Sequence, residues 1–122
     1  MYKIVAAVNS MVENAHQIGS ATKEGNIIFF VFKGQFKWSL NKTNDDYELA
    51  FYPGEGSIEN IKEGIELSYI SGNYELPVSI SYSTSELKTP EAFESFAELY
   101  QVVQGKLYNI DAVLDSIINM AA

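Results

Sequence analysis

Apolar residues recur at helical spacing at both ends of the chain. Over residues 1–23 they follow one another in steps of three and four, which predicts an N-terminal helix. Thr89-Pro90-Glu91 is a typical helix start, and the longest apolar row of the chain follows it, from residue 93 to residue 121. This row predicts a long C-terminal helix, which is either continuous or divided near Gly105 or Asn109.

The central part of the chain shows the two-residue spacing of strands. Residues 26–33 predict a strand, because residues 27–32 are an unbroken run of aromatic and β-branched side chains and glycines flank the segment. Residues 35–41 and 47–52 alternate apolar and polar positions. A two-residue turn at Gly34-Gln35 sets Phe29 opposite Leu40 and Val31 opposite Trp38. The polar residues 42–46 form the next turn, and Leu40 then pairs with Tyr47.

A short helix and a second hairpin complete the predicted fold. Ser57 caps a helix that we expect to end by Gly64, and residues 65–70 and 74–82 alternate around a Gly72-Asn73 turn. We therefore predict a single α+β domain over residues 1–122. It has an N-terminal helix, a largely antiparallel sheet of three plus two strands with a short helix between them, and a long C-terminal helix packed on the sheet.

The predicted register leaves many apolar side chains on the second face of the sheet. That face is either buried by one of the helices or exposed as an apolar patch, and such patches mark interaction sites. The long C-terminal stripe also exceeds what one small sheet covers. These two surfaces supply a candidate interface, which comprises Ile28, Phe30, Phe32, Tyr52, Leu107 and Leu114.

Composition favours binding over catalysis. The chain has no cysteine, no arginine and a single histidine, His16, so it lacks most residue types that act as nucleophiles, general bases and zinc ligands. We predict no catalytic residue, no metal and no cofactor, although a tyrosine- or glutamate-based enzyme stays open. The alternative to a protein-binding module is a small-molecule site or minor enzyme between sheet and C-terminal helix, lined by Trp38, Tyr47, Tyr69 and Tyr100.

The net charge of −8 is unevenly distributed. Residues 1–43 carry five lysines and two glutamates, whereas residues 44–122 carry fourteen acidic residues and three lysines. This balance opposes nucleic-acid binding and suits a basic protein partner, or a DNA-mimicking inhibitor. A solvated acidic face is the commoner meaning of such a cluster. The candidate acidic docking surface comprises Glu55, Glu59, Glu63 and Glu66.

We expect a cytoplasmic protein, because no segment has the pattern of a secretory signal or of a membrane span. The favoured function is a homodimeric protein-binding module: a chaperone, an immunity-type inhibitor or a regulatory adaptor. The predicted element order, small size and acidity are similar to those of the small acidic chaperones of type III secretion systems. That resemblance implies homodimers that bind extended segments of effector proteins.

Overall fold

Five antiparallel strands form one sheet in the computed structural model, which describes residues 1–72 and 76–120. The strands β1 to β5 neighbour one another in chain order and span Ile18–Glu24, Ile27–Phe32, Phe36–Thr43, Asp46–Tyr52 and Ile80–Ser83. The helices α1 to α5 span Lys3–Glu13, Ile58–Ser71, Thr84–Leu87, Pro90–Leu107 and Ile110–Asn119. The predicted α+β class, with an N-terminal helix and C-terminal helices on an antiparallel sheet, is confirmed.

The N-terminal helix is shorter than predicted. α1 ends at Glu13, and after a 3₁₀ turn at Ala15–Gln17 the chain enters β1. β1 pairs with β2 around a turn in which Gly25 has a φ of +60°. Residues 19–24 offer a helix almost no apolar surface, while the edge of β2 offers their backbone a row of hydrogen-bond partners. The prediction of a helix to residue 23 was wrong for that reason.

The sheet register differs from the prediction in two ways. Leu40 pairs with Leu49 rather than Tyr47, a shift of two residues that leaves the same side chains on the same face. Between β2 and β3, Phe30 pairs with Trp38, a shift of one residue that exchanges the two faces of β2. The cause is a three-residue loop after Phe32 in place of the predicted two-residue turn.

Helices cover both faces of this sheet. α1 and α4 bury the first face, whose core includes Ile28, Phe30, Leu40 and Leu49. On the second face, the apolar side of α2 packs over the other side chains of β2 and β4, namely Phe29, Ala50 and Tyr52. Of the two alternatives for the second face, burial is therefore the one observed.

The predicted second hairpin does not form, because α2 continues through its first strand. Ser57 caps α2 as predicted, through a capping box with Asn60, but the helix passes Gly64 and ends only at Gly72, where φ is +69°. Ile58, Ile61 and Ile65 share a helical face against the sheet, and their spacing prevails over the two-residue alternation of residues 65–70. Only β5 remains of the second predicted strand, whose residues 74 and 75, like Asn73 of the turn, lie outside the described residues.

The long C-terminal apolar row divides into two helices at Asn109. The side chain of Thr89 caps α4, accepting a hydrogen bond from the backbone N–H of Ala92 at 3.1 Å. The helix passes through Gly105 and ends at Tyr108, and Asn109 then adopts the left-handed conformation with φ +53°. Asparagine tolerates this conformation better than most residues. The division near Asn109 is therefore the correct one of the predicted alternatives.

Candidate protein-binding surface

Helix α5 carries an apolar face that contacts no other part of the described chain closely enough to be buried. Its five large apolar side chains fall on one side of the helical wheel, and each is between 44% and 67% exposed. Asp111 borders this face beside Ile118, and Asp115 lies further round on the polar side. We name the apolar face the α5 stripe; it comprises Ile110, Val113, Leu114, Ile117 and Ile118.

The junction between α4 and α5 sets the direction of this stripe. Ile110 folds back over Gly105, so that a Cβ atom added at Gly105 would meet Ile110 Cγ2 at 3.3 Å. The backbone N–H of Asn109 donates to the carbonyl of Lys106 at 3.3 Å, which closes the turn. Beyond this short contact, residues 111–120 are all exposed.

A second surface lies at the opposite end of the helical layer. It is an open groove of about 430 Å³. Its floor is formed by β3 and β5, and its walls by α3 and the N-terminal half of α1. Lys3 is the charged residue of its lining, and the rest of the lining is mostly apolar. We name it the α1 groove; besides Lys3 it is lined by Tyr2, Ile4, Ala7, Trp38, Tyr82 and Leu87.

Trp38 is the central side chain of the groove floor. Its ring lies 5.0 Å from that of Phe51, between centroids. Phe36 and Ile80, which flank this pair on the same face, are 40% and 49% exposed. The indole Nε1 of Trp38 is buried and has no hydrogen-bond partner among residues 1–72 and 76–120. A buried donor without an acceptor costs about 1–3 kcal/mol.

Asp46 holds α3, one wall of the groove, against the sheet. Its carboxylate accepts hydrogen bonds from the Thr84 hydroxyl, from the Ser85 backbone N–H at 2.9 Å and from the Ser85 hydroxyl at 3.0 Å. The bond from Thr84 does most to lower the pKa of Asp46, and the bonds from Ser85 add to it against the opposing effect of burial. The ionised carboxylate therefore fixes the start of α3, which carries Leu87.

The second face contains one perturbed tyrosine. Burial raises the pKa of Tyr52, although its hydroxyl shares a hydrogen bond of 2.8 Å with Ser39, which acts in the opposite direction. Tyr52 lies beneath α2 with Phe29, at 6.0 Å between ring centroids. Its place is in the core, and its phenol stays neutral at physiological pH.

The structure separates the residues of the candidate interface. Ile28 and Phe30 are no more than 1% exposed under α1 and α4, and Tyr52 is buried under α2, so these side chains form core and no exposed patch. Phe32 and Leu107 are half-buried at the edge of the first core. Leu114 is exposed and belongs to the α5 stripe.

The four glutamates of the candidate acidic docking surface are all exposed, and three of them lie on α2. Lysines partly offset their charge. Lys62 lies 3.5 Å from Glu59, and the ammonium group of Lys37 donates to the carbonyls of Gly54 and Gly56 on either side of Glu55. The exposed surface therefore carries both acidic and basic side chains.

Two features of the sequence were candidates for catalysis or ligand binding: His16 and the four aromatic residues of the alternative pocket. His16 is exposed in the 3₁₀ turn, and residues 1–72 and 76–120 contain no group of three histidine, aspartate or glutamate side chains able to hold a metal. The four aromatic residues of the alternative pocket are not brought together. Tyr47 and Tyr100 pack on each other at 5.5 Å between ring centroids, Trp38 lines the α1 groove, and Tyr69 is 86% exposed on α2.

Sequence reasoning missed most of the α1 groove. Ala7 and Leu87 carry no pattern that sets them apart from other helical apolar residues, and they meet only because α1 and α3 dock at the same end of the sheet. The only sequence signal was Trp38, the single tryptophan of the chain, which was assigned to a different pocket.

Comparison with known proteins gives no match: no family model, curated protein or solved structure is similar to this chain. The resemblance to type III secretion chaperones depended on three strands before the central helix and two after it, whereas four strands precede α2 and one follows it within residues 76–120. In the part of the chain that the structure describes, every helix is too short or too polar to cross a bilayer.

Proposed function

We propose that this chain is a non-enzymatic protein-binding module that contacts its partner through the α5 stripe. The observation that carries this proposal is the exposure of five large apolar side chains on one face of a helix whose other face is polar. A groove on a partner protein is the ordinary way of burying such a face.

The length of α5 supports the same conclusion. Isolated helices shorter than about 12–15 residues are marginal in water, because too few hydrogen bonds offset the cost of nucleation. α5 has ten residues, no side-chain cap at Asn109 and little packing against the body. A partner that buries the stripe would stabilise both the helix and the complex. Full burial of an exposed aliphatic side chain contributes roughly 1.5–3 kcal/mol, and these side chains, about half exposed, would each gain a part of that.

The role of such a module is that of a chaperone, an immunity-type inhibitor or a regulatory adaptor in the cytoplasm, acting as a homodimer. The acidic surface on α2 adds a second proposed contact, with a basic protein. Charges at the edge of an interface mainly accelerate association and select the partner, while buried apolar side chains supply affinity. α5 therefore carries the larger share of the proposal.

Site-specific photo-cross-linking tests this proposal. A photoreactive amino acid is placed at Ile117 on the stripe or, as the matched control, at Ser116 on the polar side of the same helix. We expect protein adducts from position 117, identified by mass spectrometry, and few from position 116. Equal or absent adducts at the two positions would contradict a protein contact through the stripe.

A further inference from the structure

We infer that the partner of the α5 stripe is a second copy of this chain, and that the stripe lies in the α1 groove of that copy. The exchange is reciprocal, so each chain gives its α5 and receives the other's. This inference rests on the proposed function and specifies both the occupant and the site.

The geometry makes the contact one between chains. α1 and α4 run side by side in the same direction, since Val5 and Thr89 line one cavity and Ala15 and Gln101 line another. The α1 groove lies at the beginning of these helices and α5 leaves from their end. α4 is about 27 Å long and α5 about 15 Å, so α5 folded back along its own α4 would stop short of its own groove.

The charges of the two surfaces are complementary. α5 carries Asp111 and Asp115 and no basic residue, whereas the charged residue that lines the groove is Lys3. The asymmetry extends to the whole chain, because five of the eight lysines lie in residues 1–43 and most carboxylates lie beyond them. Docking the acidic α5 on the lysine-bearing N-terminal part of another copy would bring opposite charges together locally, although each chain has a net charge of −8.

The area needed by a stable dimer favours exchange over a simple pair of α5 helices. Stable interfaces bury roughly 1,200 Å² or more. Two ten-residue helices that touch along one stripe bury far less, because each is only about 15 Å long. Two contacts between stripe and groove, related by a two-fold axis, bury both stripes and both groove floors, including the side chains around Trp38.

Two single variants and their mixture test the exchange. Leu114→Asp disables the stripe and leaves the groove intact, and Ser116→Asp is its control on the polar side of α5. Ala7→Glu disables the groove and leaves the stripe intact, and Ala6→Glu is its control on the exposed side of α1. Thermal unfolding of each variant checks that the body still folds.

Light scattering over a dilution series then measures the mass in solution. We expect a dimer for the wild type and both controls, and dimerisation weakened by roughly thirtyfold or more in each disabling variant. An equimolar mixture of Leu114→Asp and Ala7→Glu should recover heterodimers, because one intact stripe meets one intact groove. If Ala7→Glu alone dimerises as the wild type does, or the mixture recovers nothing, the exchange is wrong.

The single tryptophan gives a local reading of the same event. Trp38 fluorescence should shift to longer wavelength when the wild type is diluted into monomers, and Leu114→Asp should show the shifted spectrum at concentrations where the wild type is still dimeric. A spectrum that does not change with dimerisation would place the contact elsewhere.

The outcomes also separate this inference from the proposed function. A monomeric wild type that still cross-links from position 117 to a different protein would overturn the exchange and retain α5 as a protein-binding element. A monomer without adducts would overturn both. Adducts that join position 117 to peptides of α1 or β3 of the same chain, in a dimer, support both.

Discussion

Helices α4 and α5 have the same apolar spacing, but the apolar side chains of α4 are mostly buried and those of α5 are exposed. In α4, Phe96, Leu99 and Val103 are fully buried between α1 and the sheet. In α5, Leu114 and Ile117 continue the same spacing and are 48% and 59% exposed. A continuous stripe in the sequence thus divides into a core helix and a surface helix.

The two helices differ in how they begin and in how much of their apolar surface stays exposed. α4 begins with the Thr89 cap and Pro90, next to an α3 that Asp46 ties to the sheet. α5 begins at the left-handed Asn109 without a side-chain cap, and none of its residues is buried. An apolar stripe predicts that another protein surface buries it. The stripe alone does not tell whether that surface belongs to the same chain.

The largest expected difference between the helices is in stability. Phe96→Ala should lower the free energy of unfolding by about 3–5 kcal/mol, the range for removing a buried phenylalanine side chain. Leu114→Ala should change it by no more than about 0.5 kcal/mol in the monomer, as for other exposed positions. Urea unfolding at concentrations where the chain is monomeric measures both. Comparable losses would show that α5 packs on its own body.

The break between the helices should yield to one substitution. Alanine in the left-handed conformation costs roughly 1–2 kcal/mol, so Asn109→Ala should favour one straight helix, while Asn109→Gly should keep the break. Since the chain has no cysteine, spin labels on cysteines introduced at Glu98 and Ser116 measure the bend. A straight helix separates these two positions by about 27 Å along its axis, and a bent one brings them closer. Equal distances in both variants would contradict a break set by Asn109.

A smaller, pH-dependent effect should distinguish the anchored beginning of α4. The folded-state pKa of Asp46 is lowered, chiefly by the hydrogen bond from Thr84. Its contribution is therefore present above the unfolded-state pKa, near 3.9, and is lost as the pH falls through the lowered folded-state value. The wild type should lose more stability than Asp46→Asn between pH 6 and pH 2, and Ser85→Ala should lie between them. Identical acid profiles for the three proteins would contradict this role.

Local signals in the sequence determined several features of the fold correctly. Thr89-Pro90 begins α4 and Ser57 begins α2, because capping side chains act on backbone groups within three residues. The strands β2, β3 and β4 also appear near their predicted positions, since dense aromatic and β-branched runs fit a sheet buried on both faces. Leu114 was correctly placed on an apolar stripe for the same local reason.

Features that depend on competition between segments were predicted less well. Residues 65–70 alternate apolar and polar positions like a strand, but they lie in α2. Ile65 of this segment packs with Ile58 and Ile61 in the cluster that contains Phe29 and Ala50. One additional loop residue between β2 and β3 moved Ile28 and Phe30 to the face under α1 and α4. Both errors came from choosing between patterns of similar local strength without knowing what lay opposite.

The sequence by itself determined the α+β class, the starts of α2 and α4, the acidic balance and the presence of an apolar stripe after residue 109, because each depends on residue type and spacing along the chain. Only the tertiary structure decided that α2 covers the second face of the sheet, that the α1 groove exists, and that the α5 stripe stays exposed rather than joining the core. Those outcomes depend on which distant surfaces meet, since burial is a property of the assembled layers and not of any one segment.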